Sequence, residues 1–114
     1  MNDVPPAPRT KRIRQLNDDF RSTFKGGRVM LTPAVISLPE AGRATIIERI
    51  KTFNDFNDVN APYQEHDFIA FELAGSHIFV KIDYYAPDLQ HGSEDPADPV
   101  KTTRVMTIMT AEEY

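Results

Sequence analysis

The stretch that decides the fold is residues 65–85, which reads EHDFIAFELAGSHIFVKIDYY. Apolar and polar residues alternate on both sides of Gly75-Ser76, and this period of two predicts two strands joined by a two-residue turn with glycine first. If Ala74 pairs with His77, the apolar residues of both strands lie on one face, whereas a slip of one residue would destroy that arrangement. The apolar pairs expected in this register are Leu73 with Ile78, Phe71 with Val80, and Ile69 with Ile82.

The opposite face of this predicted hairpin carries polar and aromatic side chains. The pairs expected there are His66 with Tyr85, Phe68 with Asp83, Ala70 with Lys81, and Glu72 with Phe79. Four of these residues combine acid, base and phosphate-binding groups, and they are candidate site residues: His66, Lys81, Asp83 and Tyr85. The alternative is an ordinary solvated sheet face. On a strand His66 points away from its neighbours Glu65 and Asp67, which favours a structural role at the strand entry over catalysis.

Two helices are predicted before the hairpin. Ile13, Leu16, Phe20 and Phe24 recur at helical spacing, the charged residues from Arg12 to Arg21 fall largely on the opposite side, and Gly26-Gly27 supplies a stop. The sequence Ser37-Leu38-Pro39-Glu40 matches a capping box, which predicts a second helix over residues 39–53. Between the two, Thr32-Pro33 is suited to open one helical turn that ends at Ile36.

The remaining segments complete a two-layer α+β domain. Residues 28–31 and 101–110 are predicted as strands, residues 54–62 as a loop, and residues 86–100 as a long connection. Apolar residues on both faces of the last strand indicate an interior position in the sheet. The predicted order is α-β-α-β-β-β, an antiparallel sheet of about four strands packed against two helices. Residues 1–9 are predicted as a flexible tail and residues 10–114 as a single domain.

The composition excludes several kinds of chemistry. The 114 residues contain no cysteine, so disulfides, thiolate nucleophiles and zinc–thiolate sites are ruled out. The five glycines match no nucleotide-binding pattern, and the three histidines lie in separate segments. We therefore predict no catalytic residues, no cofactor and no metal site. No apolar run approaches the roughly 20 residues that span a bilayer, which predicts a cytoplasmic protein without membrane contact.

Charge is distributed unevenly along the chain. The net charge is −4, but residues 1–30 carry +4 whereas residues 52–100 carry ten acidic residues against one lysine. The long connection contributes four of these acids, Asp88, Glu94, Asp95 and Asp98, and they complete the candidate interaction surface. Such loops are commonly just solvated. The functional alternative is a negative surface for a protein partner, such as a basic nucleic-acid-binding complex, while the acidic balance argues against direct nucleic-acid binding.

Several stretches together resemble a small bacterial family described as domain of unknown function 3768. They are LNDDFR (16–21), GGRVMLTP (26–33), EHDF (65–68), AFE (70–72), KIDYY (81–85), GSEDPADP (92–99) and TRVMTIM (103–109). The resemblance covers nearly all of the chain after the first ten residues. It implies a bacterial protein that is often associated with plasmids or other mobile elements, and it implies no activity or catalytic residues.

These observations favour a small, non-enzymatic, acidic interaction protein. Because the resemblance implies an association with mobile elements, the leading hypothesis is an inhibitor of a bacterial defence complex, of the anti-CRISPR or anti-restriction type. One alternative is a RelE-like ribonuclease toxin. Such a toxin needs cations to bind RNA phosphates, whereas the second half of this chain is strongly negative. A second is a plasmid-maintenance accessory that uses the basic first helix on DNA. The sequence specifies neither a particular partner nor an oligomeric state.

Overall fold

Four strands form one mixed, mostly antiparallel sheet in the order β1-β4-β3-β2. A computed structural model describes residues 5–57 and 63–114. The strands are β1 (Gly27–Leu31), β2 (Phe68–Leu73), β3 (Ser76–Tyr85) and β4 (Thr103–Thr110). The helices are α1 (Pro8–Thr23), α2 (Pro33–Ile36), α3 (Glu40–Thr52) and a final 3-10 turn, η1 (Ala111–Glu113). The predicted α+β class is confirmed, with one parallel pair, β1 with β4.

Helix α1 begins at Pro8, so two residues assigned to the flexible tail belong to the helix; residues 1–4 lie outside the described residues. Its buried residues are Ile13, Asn17, Phe20 and Arg21. The expectation that Arg21 faces solvent is therefore wrong. The helix ends at Thr23 and is capped by Phe24, which adopts the left-handed conformation (φ 59°) and donates its backbone N–H to the Phe20 carbonyl. Gly26 also has positive φ (97°), but it follows the helix end rather than making it.

The predicted helical turn α2 is confirmed, but the predicted capping box before α3 is wrong. Ser37 closes α2, because its hydroxyl donates to the carbonyl of Ala34 at 2.8 Å. Helix α3 begins later, at Glu40, and Pro39 precedes it without a side-chain cap. Part of the predicted loop 54–62 lies outside the described residues, and 53–57 has no regular structure.

The hairpin of β2 and β3 forms with a register that differs from the predicted one by two residues. Leu73 pairs with Ser76, so the turn is Ala74-Gly75 rather than Gly75-Ser76. Both turn residues have positive φ (50° and 84°), which matches the twist that flanking strands prefer. Because a shift of two preserves the alternation, the apolar residues still share one face. His66 precedes β2, so its predicted pairing with Tyr85 does not occur.

The core lies between this apolar face and the helices. Helices α1, α2 and α3 contribute Phe20, Val35, Ile46 and Ile50. The sheet contributes Ile69, Phe71, Ile78, Val80, Ile82, Met106 and Ile108. Strand β4 is interior, as predicted, and lies between β1 and β3. None of the helices in the described part of the chain is long and apolar enough to cross a membrane.

The long connection after β3 contains no helix or strand, as predicted. Its first part folds back on itself, because the Ala86 N–H donates to the His91 carbonyl at 2.7 Å. Its second part is fastened to the start of β4, where the Thr102 hydroxyl donates to the Asp95 carbonyl at 2.9 Å. The connection is therefore held to the end of the sheet at which β3 stops and β4 starts.

Candidate functional site

A network of polar side chains joins α1 to the ends of β3 and β4. Asn17 is fully buried, and its side-chain oxygen accepts the Nε–H of Arg104 at 2.7 Å. Its amide donates to the Tyr84 hydroxyl at 2.8 Å and to the Glu65 carbonyl at 3.0 Å. The Tyr84 hydroxyl donates to the Glu65 carboxylate at 2.8 Å. Arg104 also donates to the Pro96 carbonyl at 2.6 Å, so one cluster connects the helix, the strands and the long connection.

An aspartate–histidine pair lies beside this network. His66 Nδ1 is 3.0 Å from the Asp18 carboxylate, and the imidazole stacks on Phe56 at 3.7 Å. Arg21 donates to the same carboxylate at 3.0 Å. Partial burial opposes ionisation of Asp18, but the hydrogen bonds from His66 and Arg21 outweigh it and lower its pKa. Such a pair orients a general base in hydrolases. Among the described residues, however, no hydroxyl group is hydrogen-bonded to His66.

The segment that carries His66 has a costly backbone conformation. Gln64 and His66 both have positive φ (61° and 58°), and each such residue costs about 1–3 kcal/mol. Helix α1 holds the segment, because Arg14 Nε donates to the Gln64 carbonyl at 2.8 Å and Asn17 to the next carbonyl along. Asp67 is the last residue of this segment before β2. Burial, together with the nearby negative charges of Glu65 and Asp83, raises the pKa of its carboxyl group.

The polar network is internally satisfied. Burial raises the pKa of the Tyr84 hydroxyl, so this group keeps its proton at neutral pH. Burial lowers the pKa of the Arg104 guanidinium, which nevertheless stays protonated as arginine does in proteins. Every buried side-chain nitrogen and oxygen of the described residues has a hydrogen-bond partner. The hydrogen bonds of this network therefore hold its buried polar groups in fixed positions.

The second face of the sheet, which we call the open face, is the one that the three α-helices do not cover, although Val105 and Met109 of β4 are buried on it. The three α-helices cover the face that carries the core, and the alternate residues of each strand point the other way. Near the hairpin end of this open face, Phe68, Phe79 and Tyr114 form an aromatic cluster with ring centroids 5.3–6.0 Å apart. Lys81 and Asp83 follow along β3 and form an ion pair at 3.2 Å.

Glu113 holds the last turn, and with it Tyr114, against the rest of the fold. Its carboxylate accepts the Thr32 hydroxyl at 2.6 Å and the Thr110 N–H at 2.8 Å. These bonds lower the pKa of Glu113 to about 2. The stabilisation is therefore present above pH 4.5, the ordinary pKa of the group, and is lost as the pH falls towards 2.

We expect Glu113→Gln to remove this part of the acid dependence. The wild-type protein should lose stability between pH 4.5 and pH 2 more steeply than the variant, because only the wild type must protonate this carboxylate. Urea unfolding at a series of pH values measures the difference. Glu112→Gln, the neighbouring exposed carboxylate, is the matched control. Equal pH profiles for wild type and Glu113→Gln would contradict the prediction.

The other end of the open face contains an apolar concavity of about 260 Å³. Arg28 and Met30 of β1, Val105 of β4, Tyr85 of β3 and Leu89 of the long connection line it. Met30 is 58% exposed and Tyr85 36% exposed, whereas Val105 is buried and forms part of the lining. We call these five residues the Arg28 pocket.

The structure distributes the candidate residues predicted from the sequence over several places. Lys81, Asp83 and Tyr85 share the open face, whereas His66 lies against α1. Asp88 accepts the Gln90 N–H and lies 3.1 Å from His91, and these contacts lower its pKa. The other three acids differ: Asp95 pairs with Arg9 at 3.2 Å, Asp98 accepts the Val100 N–H, and Glu94 is exposed.

Sequence reasoning missed most of the Arg28 pocket and most of the polar network. The missed residues are Arg28, Met30, Leu89 and Val105 in the pocket, Asn17, Tyr84 and Arg104 in the network, and Asp18 in the pair beside it. Strand periodicity places Arg28 and Met30 on one face and was the available signal. The parallel pairing of β1 with β4 joins segments about 77 residues apart, and no local pattern specifies it.

The comparison with protein families identifies the chain. The model of the family described as protein of unknown function (DUF3768) matches residues 31–113. The chain belongs to this family. The match covers the sheet from Leu31 onwards but not α1, so the resemblance at 16–21 and the first part of the one at 26–33 lie outside it. No curated protein and no solved structure matches the chain.

The matched DUF3768 region and the preceding segment build the candidate site together. Arg28 and Met30 lie before residue 31, whereas Tyr85, Leu89 and Val105 lie within the matched range. The polar network is divided in the same way, with Asn17 outside and Arg104 inside. Within the described residues no group of three or more histidine and carboxylate side chains is arranged to hold a metal ion.

Proposed function

We propose that this DUF3768 protein is a non-enzymatic interaction protein that binds a partner protein through the open face of its sheet. The observation that carries the proposal is the pair of apolar features on this face, the aromatic cluster and the Arg28 pocket. Exposed apolar groups at the two ends of one surface, with an ion pair between them, are typical of a protein-binding face. The internally satisfied polar network supports a scaffold role for the titratable residues.

The charges around this face favour a basic partner. Asp88 follows the strand that carries Tyr85, and Glu94 is exposed in the same connection. Asp95 contributes less, because Arg9 already opposes it. Carboxylates at the border of an interface accelerate association with a positive surface and add modestly to affinity.

The finer proposal is an inhibitor of a bacterial defence complex, acting in the cytoplasm and encoded by a mobile element. A basic nucleic-acid-binding complex is the kind of partner that the border carboxylates suit. A small protein can block such a complex by binding alone. The ribonuclease alternative is less well supported, because Lys81 is already paired with Asp83 and not available to a phosphate without breaking that pair.

The experiment combines capture of the partner with a protection assay. Tagged protein is expressed in bacteria that carry an active CRISPR or restriction system, and captured proteins are identified by mass spectrometry. We expect a defence component to be recovered, and plaque formation by a targeted phage to rise at least about tenfold. Met30→Glu and Tyr114→Ser should each weaken capture about tenfold, a loss of about 1.4 kcal/mol.

Ile36→Glu is the matched control, because Ile36 is 57% exposed, nearly as much as Met30, but lies on α2 away from the open face. It should capture and protect like the wild type. Equal losses for Ile36→Glu and Met30→Glu would overturn the assignment to the open face. Growth arrest with RNA cleavage that disappears in Lys81→Ala and Tyr85→Phe would overturn the non-enzymatic role and favour the ribonuclease.

A further inference from the structure

The Arg28 pocket contains a positively charged side chain although the chain as a whole is acidic. The chain carries −4 overall, yet the charged side chain among the pocket residues is a cation. Arg28 takes part in none of the ion pairs found within residues 5–57 and 63–114. Its neighbours in the lining are apolar or aromatic. A guanidinium beside an apolar cavity is suited to a ligand that combines an apolar group with a carboxylate.

The pocket opens beside a strand with a free edge. Strand β1 is at the end of the sheet and pairs only with β4 among the described strands. Four of its five residues are exposed, including Val29 on one face and Met30 on the other. An edge strand presents backbone N–H and C=O groups that an extended chain can pair with. An extended peptide can use the pocket and this backbone edge at the same time.

We propose that β1 and the Arg28 pocket bind an extended segment of a partner protein with an apolar residue and an acidic residue two positions apart. The segment pairs with the outer edge of β1, its apolar side chain enters the cavity, and its carboxylate binds the Arg28 guanidinium. This inference rests on the proposed function, because it assigns a partner segment to one end of the same open face.

The spacing follows from the geometry of the strand. Arg28 and Met30 are two residues apart and point to the same face of the sheet, because side chains alternate along β1. A paired segment shows the same alternation, so the two side chains that reach the cavity and Arg28 must also be two positions apart. Adjacent positions would send one of them to the opposite face. A cavity of about 260 Å³ has room for one large side chain.

Three fluorescein-labelled heptapeptides test the inference by fluorescence anisotropy. The first, Thr-Thr-Leu-Thr-Glu-Thr-Thr, has the expected spacing; the second has Lys in place of Glu; the third has Leu and Glu adjacent. We expect the first peptide to bind the full-length protein at least about tenfold more tightly than the other two. Replacing its central threonine by proline, which removes a backbone donor, should weaken binding.

Charge reversal supplies the decisive variant. Arg28→Glu should lose the preference for the Glu peptide and bind the Lys peptide more tightly instead. Lys11→Glu makes the same change of charge on the exposed side of α1 and should leave the preference as in the wild type. An unchanged preference in Arg28→Glu, or equal binding of the three peptides, would overturn the inference.

The outcomes separate this inference from the proposed function. If a defence component is captured through the open face while the three peptides bind equally, the pocket inference fails and the proposed function stands. If no partner is captured but Arg28→Glu reverses the peptide preference, the pocket inference stands and the proposed inhibitor function fails. Binding of 3-phenylpropionate as tightly as the first peptide would show a small-molecule site and would also overturn the peptide assignment.

Discussion

Asn17→Ala is expected to lower the free energy of unfolding by about 3 kcal/mol, although it removes a polar residue from a helix. The Asn17 side chain is fully buried and makes hydrogen bonds to Arg104, Tyr84 and the Glu65 carbonyl. Alanine leaves the Nε–H of a buried guanidinium and a backbone carbonyl without partners. Leaving a buried charged group without its hydrogen-bond partner costs more free energy than losing an ordinary hydrogen bond. Urea unfolding at neutral pH measures the loss.

Two further variants make this prediction specific. Gln15→Ala changes an exposed residue of the same helix, which bonds Asp19 at 2.9 Å, and should cost less than about 0.5 kcal/mol. Arg104→Met removes the guanidinium whose Nε–H Asn17 accepts. The double variant should therefore lose at least about 1 kcal/mol less than the sum of Asn17→Ala and Arg104→Met. Additive losses, or a loss below about 1 kcal/mol for Asn17→Ala, would show that the network does not hold the fold.

Much of the fold could be predicted because alternation identifies the faces of strands. The residues from Ile69 to Ile82 alternate strictly enough to place their apolar side chains in the core, and the structure confirms that partition. Alternation does not distinguish registers that differ by two, since both keep the same faces. The choice between these two registers depended on the turn. Ala74 has a positive φ there, which the usual preference for glycine at such positions did not predict.

The candidate site was harder to predict, because its parts come from distant segments. Asn17 and Arg104 are 87 residues apart, and each, considered alone, is a residue type that is usually exposed to solvent. Arg21 was expected on the polar side of α1 for the same reason, but its Nη1 donates to the Ile50 carbonyl inside the fold. Periodicity detects the burial of apolar side chains but not of polar side chains that hydrogen-bond to one another. Buried polar networks therefore cannot be predicted from it.

Gly27→Ala is expected to destabilise the protein by about 2–3 kcal/mol, near the upper end of the cost of overpacking. A Cβ at this position would lie 2.6 Å from the carbonyl oxygen of Arg104 and 2.7 Å from the ring of Phe20. Neither neighbour can move easily, because the first is backbone of the interior strand β4 and the second is a buried core side chain. We expect a fall in the melting temperature of about 10 °C, measured by circular dichroism.

Gly92→Ala is the matched control, because no atom lies within 4 Å of a Cβ added there, and it should change stability by less than about 0.5 kcal/mol. The two variants also differ in what they should do to binding. The clash at Gly27 pushes β1 away from β4, and Arg28 and Met30 follow directly, so Gly27→Ala should weaken the heptapeptide even at temperatures where the protein stays folded. A stable Gly27→Ala protein with wild-type peptide affinity would show that the pairing of β1 with β4 does not position the pocket.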